Sequence, residues 1–543
     1  MRLEHEDTEL ILDTLKRFAE RRLASEVMLQ LDREDRCPEE LIRELLGPEV
    51  GLQLAFIPEA YGGMGGSAQA IFRICEALAR VDLGLATSVL GVSLGTDPLR
   101  VGGTEEQKAK WMTRVADEGL IAAYAVTEPS AGSDLSALRS RAEPVIESGR
   151  TTAYVLNGSK QFITNGGIAD IYTVLARTPR GPSFFVVERS TPGLQPGPAE
   201  HKHGIRASNT TALSLDDVRV PAENLVGGEE GLGLIQAQQV FGYTRLMVAA
   251  FGLGCGNAAL ERAVAYGRER VQGGSALIDK RAWTHKLIVP QLAELEAARA
   301  TIEQVAEQLD QGGQDLATEG AVAKLCATEA GNAAADAALQ AHGGYGYIQA
   351  YEVEKIRRDV RITCIYEGTS EILQQTIARD RWRQHLQSGG GRTLEAADAL
   401  DSLARSAPDC GADTAALGCR AAHALMETCR QHRLTRNQHV LFSLGGLLAG
   451  IESASAFAHK AGRGEPRSSR LTATQLSVLS RIRARRAARR LLDEGLALVA
   501  GSGALAGEPL ARFERELGAE RIRRKLVGDL ADLDSVAEQL AAD

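Results

Sequence analysis

A chain of 543 residues, 44% of them hydrophobic, is too long for one small core and holds enough apolar material for three or four domains or subdomains. Its net charge of −9 argues against non-specific nucleic-acid binding. The eight cysteines form no CxxC pair and no metal-ligand spacing, so no metal is expected, and they read as reduced thiols of a cytoplasmic protein.

Residues 1–120 read as an N-terminal helical domain. "ELILDTLKRFAERRLASEVM" carries apolar residues at three-to-four spacing, and "AQAIFRICEALARVDLGLATSVLGVSL" is a more buried version of the pattern. The glycines of "PEAYGGMGG" (58–66) interrupt the helices. The first residues are charged and lack the apolar region of a signal peptide.

Character changes near residue 121. "TAYVLNGSKQFIT" reads as two short strands joined by a turn at Asn157-Gly158, and "IYTVLAR", "SFFVVER" and "TALSLDDVRV" add further strands. A compact, β-barrel-like domain is assigned to 121–230. At its entrance lies "YAVTEPSAGSD" (124–134), whose small residues let a flat ligand approach the backbone and whose Thr127, Ser130 and Ser133 supply hydroxyls; composition alone favours an ordinary Gly/Ser loop. In "QFITNGG" (161–167), Phe162 and Thr164 fall on one face of a strand, as an aromatic wall beside a hydroxyl or as a plain amphipathic strand end.

From 231 to 387 the pattern is helical again, a bundle that ends at "QSGGGRT", read as a short Gly-rich linker. "QAHGGYGY" (340–347) either caps a helix or makes a tight turn against a phosphate or adenosine. In "RITCIYEGTSEIL" (361–373), Thr369 or Ser370 caps a helix that Glu371 favours, but Glu367 lies outside it, beside a glycine where another molecule can approach the backbone. Residues 388–543 form an additional helical domain, rich in Ala, Leu and Arg. Its "RIRARRAARRLL" (481–492) spreads six Arg over about 200° of a helix at 100° per residue. Leu476, Ser480, Ala484, Ala487, Ala488 and Leu491 occupy the other face, which suits a solvated or ion-paired bundle helix better than a membrane-surface or partner patch. The longest near-apolar run, Val440 to Ile451, is too short to span a bilayer. The fold expected is α+β multidomain: helices, β domain, helical bundle, appended helical domain.

The set TEPSAGSD, QFITNGG, QAHGGYG and IYEGTSE, in this order, resembles the acyl-CoA dehydrogenase family of flavoenzymes over about residues 1–385, and the appended domain resembles the layout of the very-long-chain members. The resemblance implies FAD, held along Tyr124, Val126, Thr127, Gly132 and Ser133, against Phe162, Ile163 and Thr164, by Arg270 and Arg281, by Gln340, Gly343 and Gly344 on the adenosine half, and by Thr369 and Ser370. It implies acyl-CoA contacts from Ser133, Thr244, Arg245, Glu367 and Gly368, with Glu367 as the catalytic base. Arg270 would reach the pyrophosphate of a neighbouring subunit's cofactor. Departures from the family pattern are Phe162 for a common Trp, Gly242 for a common Asp, Gly273 for a Phe and Arg281 for a Gln. The implied reaction is α,β-dehydrogenation of an acyl-CoA, with an electron-transfer flavoprotein as acceptor and a homodimer as assembly. The alternatives are an oxidase using oxygen or another flavin oxidation on the same fold, an acyl carrier protein in place of CoA, and a non-catalytic flavoprotein-like scaffold, which an intact Glu367 disfavours. Acyl length is not legible, although positions near 88–95 are plausible determinants.

Overall fold

The computed structural model describes residues 5–313, 316–464, 466 and 469–542. It divides at Met247/Val248 into two compact units.

The first unit begins with helices α1 (His5–Arg22), α2 (Ser25–Arg33), α3 (Glu39–Leu46), α4 (Ala68–Val81), α5 (Leu83–Gly102) and α6 (Glu105–Glu118). Side-chain caps set their boundaries. Asp82 ends α4 and accepts the Leu85 N–H to start α5, and Thr104 with Gln107 makes a reciprocal capping box on α6. The sheet follows, with β1 (Ala122–Ala125), β2 (Arg141–Glu147), β3 (Arg150–Thr164), β4 (Ile171–Thr178), β5 (Gly181–Glu188), β6 (Leu194–Ala199) and β7 (Thr210–Pro221). Strand order is β1-β4-β2-β3-β7-β6, with β5 also paired to β4. β1 pairs parallel with β4, and β4 pairs antiparallel with β5; these two strands are buried along nearly their whole length, as their apolar runs require.

The Asn157-Gly158 turn is not formed. β3 runs straight through it, with a bulge between Leu156 and Gly158. Asn157 instead exchanges hydrogen bonds with Asp217 of β7, its Nδ2 donating at 3.0 Å and its Oδ1 accepting the Asp217 N–H at 2.9 Å. The hairpin turn lies at Ser148-Gly149, both left-handed (φ 51° and 76°) between the paired Glu147 and Arg150. A bulge and a turn share Asn-Gly chemistry, and the side-chain partner on β7 selects the bulge.

Helix α7 (Gly233–Glu269) leads into the second unit. A small hairpin follows, β8 (Val271–Gln272) and β9 (Ser275–Ala276), then the single turn α8 (Arg281–Trp283) and a π-helical turn, Thr284–Ile288, entering α9 (Val289–Asp310). Pro290 supplies no N–H to the ladder there, so the bonding pattern shifts where α9 starts. The bundle continues with α10 (Ala317–Ala341), α11 (Glu352–Val360) and α12 (Ser370–Ser388).

The Gly-rich "linker" is a packed turn. Gly389 and Gly390 are left-handed (φ 58° and 83°), and a Cβ on Gly390 would lie 2.3 Å from the His423 ring. The appended helices α13 (Gly391–Ser406), α14 (Ala412–Gln431), α15 (Gln438–Arg463), α16 (Ala473–Gly501), α17 (Glu508–Glu516) and α18 (Ala519–Arg524) surround Leu400, Leu425, Leu444, Leu491 and Phe513, and α19 (Asp529–Ala542) follows them. A second cluster joins Val289, Ala293 and Ala297 of α9 to Phe457, Leu476, Leu479 and Val536 of the appended helices. Among the described residues one helix, α15, is long and apolar enough to cross a membrane; 61% of its apolar window is buried inside the bundle, as for a core helix. The apolar face of α16 is buried as expected. Its six Arg are ion-paired to Asp532, Glu294, Asp529, Asp493 and Glu494.

Candidate active site

Two sets of predicted residues are formed, one in each unit. In the first, β1 delivers Tyr124, whose ring stacks on Phe184 at 5.6 Å. The loop beyond it closes on itself, Glu128 and Ala131 exchanging backbone hydrogen bonds of 3.0 and 3.1 Å. Val126 is buried and Thr127 half-buried, while Gly132 and Ser133 are exposed, with open space where a Gly132 side chain would stand. The loop is pinned from beneath by a buried pair that the sequence reading missed. Lys160 Nζ donates to Glu128 at 2.7 Å, to the Leu175 carbonyl at 2.6 Å and to the Val126 carbonyl at 3.2 Å. Glu128 also accepts the Arg139 and Ser140 N–H groups at 2.6 and 3.0 Å. Burial pushes Lys160 down to about 8, against the pull of Glu128. For Glu128, burial works upward, but Lys160 and Ser140 outweigh it and hold the carboxyl below its ordinary value. No local motif announces this pair, because a strand lysine reads equally well on either face.

Phe162 is 65% exposed, and its φ is +57°. The cause is a second bulge in β3, between Lys160 and Ile163, which turns the ring outward and sends Ile163 into the core. Asn165, also left-handed at +61°, ends the strand; its Nδ2 donates to the Ser88 carbonyl at 2.9 Å. A phenyl ring held outward on a left-handed residue is an uncommon and strained arrangement. Thr164 is half-buried in register with Thr210. On α7, Thr244 is fully buried, its hydroxyl donating to the Val240 carbonyl at 3.2 Å, and Arg245 is half-buried.

In the second unit, the Arg270 guanidinium lies over the Tyr345 ring, 5.7 Å from its centre. Tyr345 belongs to an aromatic group with Tyr266, His342 and Tyr351. Gln340, Gly343 and Gly344 are exposed at the end of α10, with open space beside both glycines. Arg281 departs from expectation. It pairs with Asp534 and Glu538 of α19, each at 2.9 Å, so the guanidinium expected on a cofactor instead docks the appended domain.

Glu367 is half-buried and left-handed (φ +55°), and Gly368 after it is left-handed as well (φ +93°). Thr369 caps α12, accepting the Ile372 N–H at 3.3 Å. The Ser370 hydroxyl donates to Glu329 in a short bond, leaving its oxygen as an acceptor only. Helix α10 holds this segment from below. Lys324 Nζ donates to the Gly368 carbonyl at 2.7 Å, and Asn332 Nδ2 donates to the Val360 carbonyl at 3.0 Å and to Thr363 at 3.3 Å. Lys324, Glu329 and Asn332 were missed by motif reading, although they stand out, with Thr328 and Asp336, in the Ala-rich "AVAKLCATEAGNAAAD".

Residues 5–119, 123–218 and 231–381 match, in turn, the N-terminal, middle and C-terminal domains of acyl-CoA dehydrogenase. An acyl-CoA dehydrogenase of Bacillus subtilis is 39% identical over 363 residues, covering 66% of this chain and 92% of that protein. The chain belongs to the acyl-CoA dehydrogenase family. Membership makes it an oxidoreductase. The solved butyryl-CoA dehydrogenase of Megasphaera elsdenii is 36% identical, covers 67% of this chain and 95% of its own, and superposes with a TM-score of 0.63. An acyl-CoA dehydrogenase from Bacillus anthracis, complexed with FAD, is 24% identical but covers 99% of this chain and 95% of its own at a TM-score of 0.82. That likeness extends the shared fold to the appended helices.

Proposed function

We propose that the chain catalyses FAD-dependent α,β-dehydrogenation of an acyl-CoA thioester to the trans-2-enoyl-CoA and passes the electrons to an electron-transfer flavoprotein. The residues present fit such a cofactor: an outward Phe162 ring, a Gly132–Ser133 loop open on one side, and an Arg270–Tyr345 pair beside two unobstructed glycines. FAD, when bound, supplies the two-electron acceptor for the hydride that leaves Cβ. The chain supplies the rest. The Glu367 carboxylate takes the α-proton, and the Glu367 N–H donates to the thioester carbonyl as enolate charge develops. Gly368 lets the thioester approach the backbone closely. The observation that carries the reading is the half-buried Glu367 on two successive left-handed residues, a strained presentation that helix capping does not require.

We assign Arg270 to the cofactor's pyrophosphate in a neighbouring subunit of a homodimer, Gln340, Gly343 and Gly344 to its adenosine half, and Ser133, Thr244 and Arg245 to the acyl-CoA. The test is anaerobic mixing with butyryl-, octanoyl- and palmitoyl-CoA. At least one should bleach the wild-type flavin. Glu367→Gln, nearly isosteric but unable to accept the proton, should keep its FAD and bleach about 10²–10⁴-fold more slowly. A variant that bleaches at the wild-type rate would overturn the assignment.

A further inference from the structure

We propose that Lys324 is the positioning residue for Glu367: by holding the Gly368 carbonyl it fixes the turn from which the base reaches the substrate. The inference rests on the reading of Glu367 as the base.

A buried lysine in an Ala-rich helix is a poor device for stability. Lys324 is 0% exposed, and Ala321, Ala323 and Ala327 around it on α10 are equally buried. Taking an amino group out of water is costly unless its hydrogen bonds are remade. Here one is remade on the carbonyl of Gly368, the residue after Glu367, at 2.7 Å. Lys324, Glu329 and Asn332 fall within about 140° of one another around α10, at 100° per residue. All three bond the 360–370 segment: Asn332 holds its start at Val360 and Thr363, Glu329 holds Ser370, and Lys324 holds Gly368 between them.

The middle contact matters most for the chemistry. Residues 367 and 368 are the left-handed pair, so this is where the backbone is least secured by its own preference. The Gly368 carbonyl belongs to the Gly368–Thr369 peptide, one residue beyond the base. Held by Lys324, it fixes the far side of the left-handed turn that presents the Glu367 carboxylate and N–H; released, it lets that turn rotate. Both must meet the substrate within a few tenths of an ångström, and a misplacement of about 1 Å costs about 100-fold in rate. Glu329 and Asn332 anchor the ends of the segment, at Ser370 and at Val360 and Thr363.

The test is Lys324→Met in the full-length holoprotein, which keeps the side-chain volume and removes the donor. Lys324→Gln, which retains a shorter donor, covers the case in which the methionine variant does not fold. FAD content and the binding of crotonyl-CoA, read from the flavin spectrum, should stay within about twofold of wild type, while the anaerobic bleaching rate falls about 10–100-fold. A loss of rate with binding retained is the signature of positioning. A bleaching rate within twofold of wild type would overturn the proposal, as would a rate that falls only in step with FAD content and crotonyl-CoA affinity. Glu367→Gln run in parallel separates the two readings. If it bleaches normally, the base assignment fails; if it is inert while Lys324→Met bleaches normally, only the role of Lys324 fails.

Discussion

The loop 361–370, which carries Glu367, and helix α16 are both polar stretches set against apolar helices, and they use their polar groups differently. In α16 each arginine meets a carboxylate on its own helix or a neighbouring one. Arg485 reaches Asp532 at 2.5 Å and Arg483 reaches Glu294 at 2.9 Å. In the loop, the side chains of α10 hold backbone and hydroxyl groups, and Glu367 is presented on a left-handed residue. Charge satisfied by charge stabilises a seam. Backbone satisfied by side chain fixes the direction in which a neighbouring carboxylate points. The difference therefore separates residues whose loss should cost stability from residues whose loss should cost rate or cofactor.

The strongest way to break this comparison is to remove the seam altogether. Ending the chain after Ser388 uncovers Val289, Ala293 and Ala297 of α9, Val322 and Leu325 of α10, and Leu373 and Ile377 of α12, now packed against the appended helices or beside them. It also strips Arg483 from Glu294 and Lys460 from Glu303. The expected product aggregates or forms higher oligomers, measured by light scattering. A monodisperse, FAD-loaded fragment would show that the appended domain is dispensable to the fold.

A single substitution sharpens the same point. Arg381 is buried among Glu452 at 2.7 Å, Glu319 at 2.9 Å and Asp380 at 3.0 Å. Removing one member of a buried ion pair leaves uncompensated charge and costs about 3–5 kcal/mol. Arg381→Met should lose about that much in urea unfolding while bleaching per bound FAD stays near wild type. Arg270→Ala should do the reverse. Its guanidinium lies on Tyr345, so unfolding should change little. FAD retention should weaken by about 1.5–3 kcal/mol, the range of a charge-assisted contact, as measured by flavin release on dilution. Equal stability losses in the two variants would erase the distinction.

How much of this was legible depends on whether a residue's partner is near it in sequence. The order of helices, sheet and helices follows from periodicity. The Arg face of α16 was legible because its apolar complement, Leu476 to Leu491, lies on the same helix. Glu367 stood out against a helix start that did not need it. Asn157-Gly158 misled because Asp217, which makes it a bulge, is 60 residues away. Arg281 misled because its carboxylates are on the last helix. Lys160 and Glu128 gave no signal at all, since only the sheet register brings them together.

The smallest effect expected is an acid dependence of the seam. Asp532 takes both Arg481 and Arg485. Burial works to raise its carboxyl, but the two arginines outweigh it and hold Asp532 below the ordinary 3.8. Glu452 behaves alike: burial works upward, and Arg381 and Arg392 bring it below 4.5. A carboxylate lowered by folding binds fewer protons folded than unfolded, so stability rises with pH across the interval between its two values. The contribution is therefore complete above about pH 5 and is lost as pH falls through the ordinary values toward the lowered ones. Asp532→Asn keeps the shape and removes the charge. Its deficit against wild type in thermal unfolding should be constant from pH 7 to about 5 and should shrink as pH falls to about 3, where the wild-type carboxylate is itself being protonated. A deficit for Asp532→Asn that stays the same down to pH 3 would mean that Arg481 and Arg485 hold Asp532 by shape alone, and that the seam does not depend on its charge.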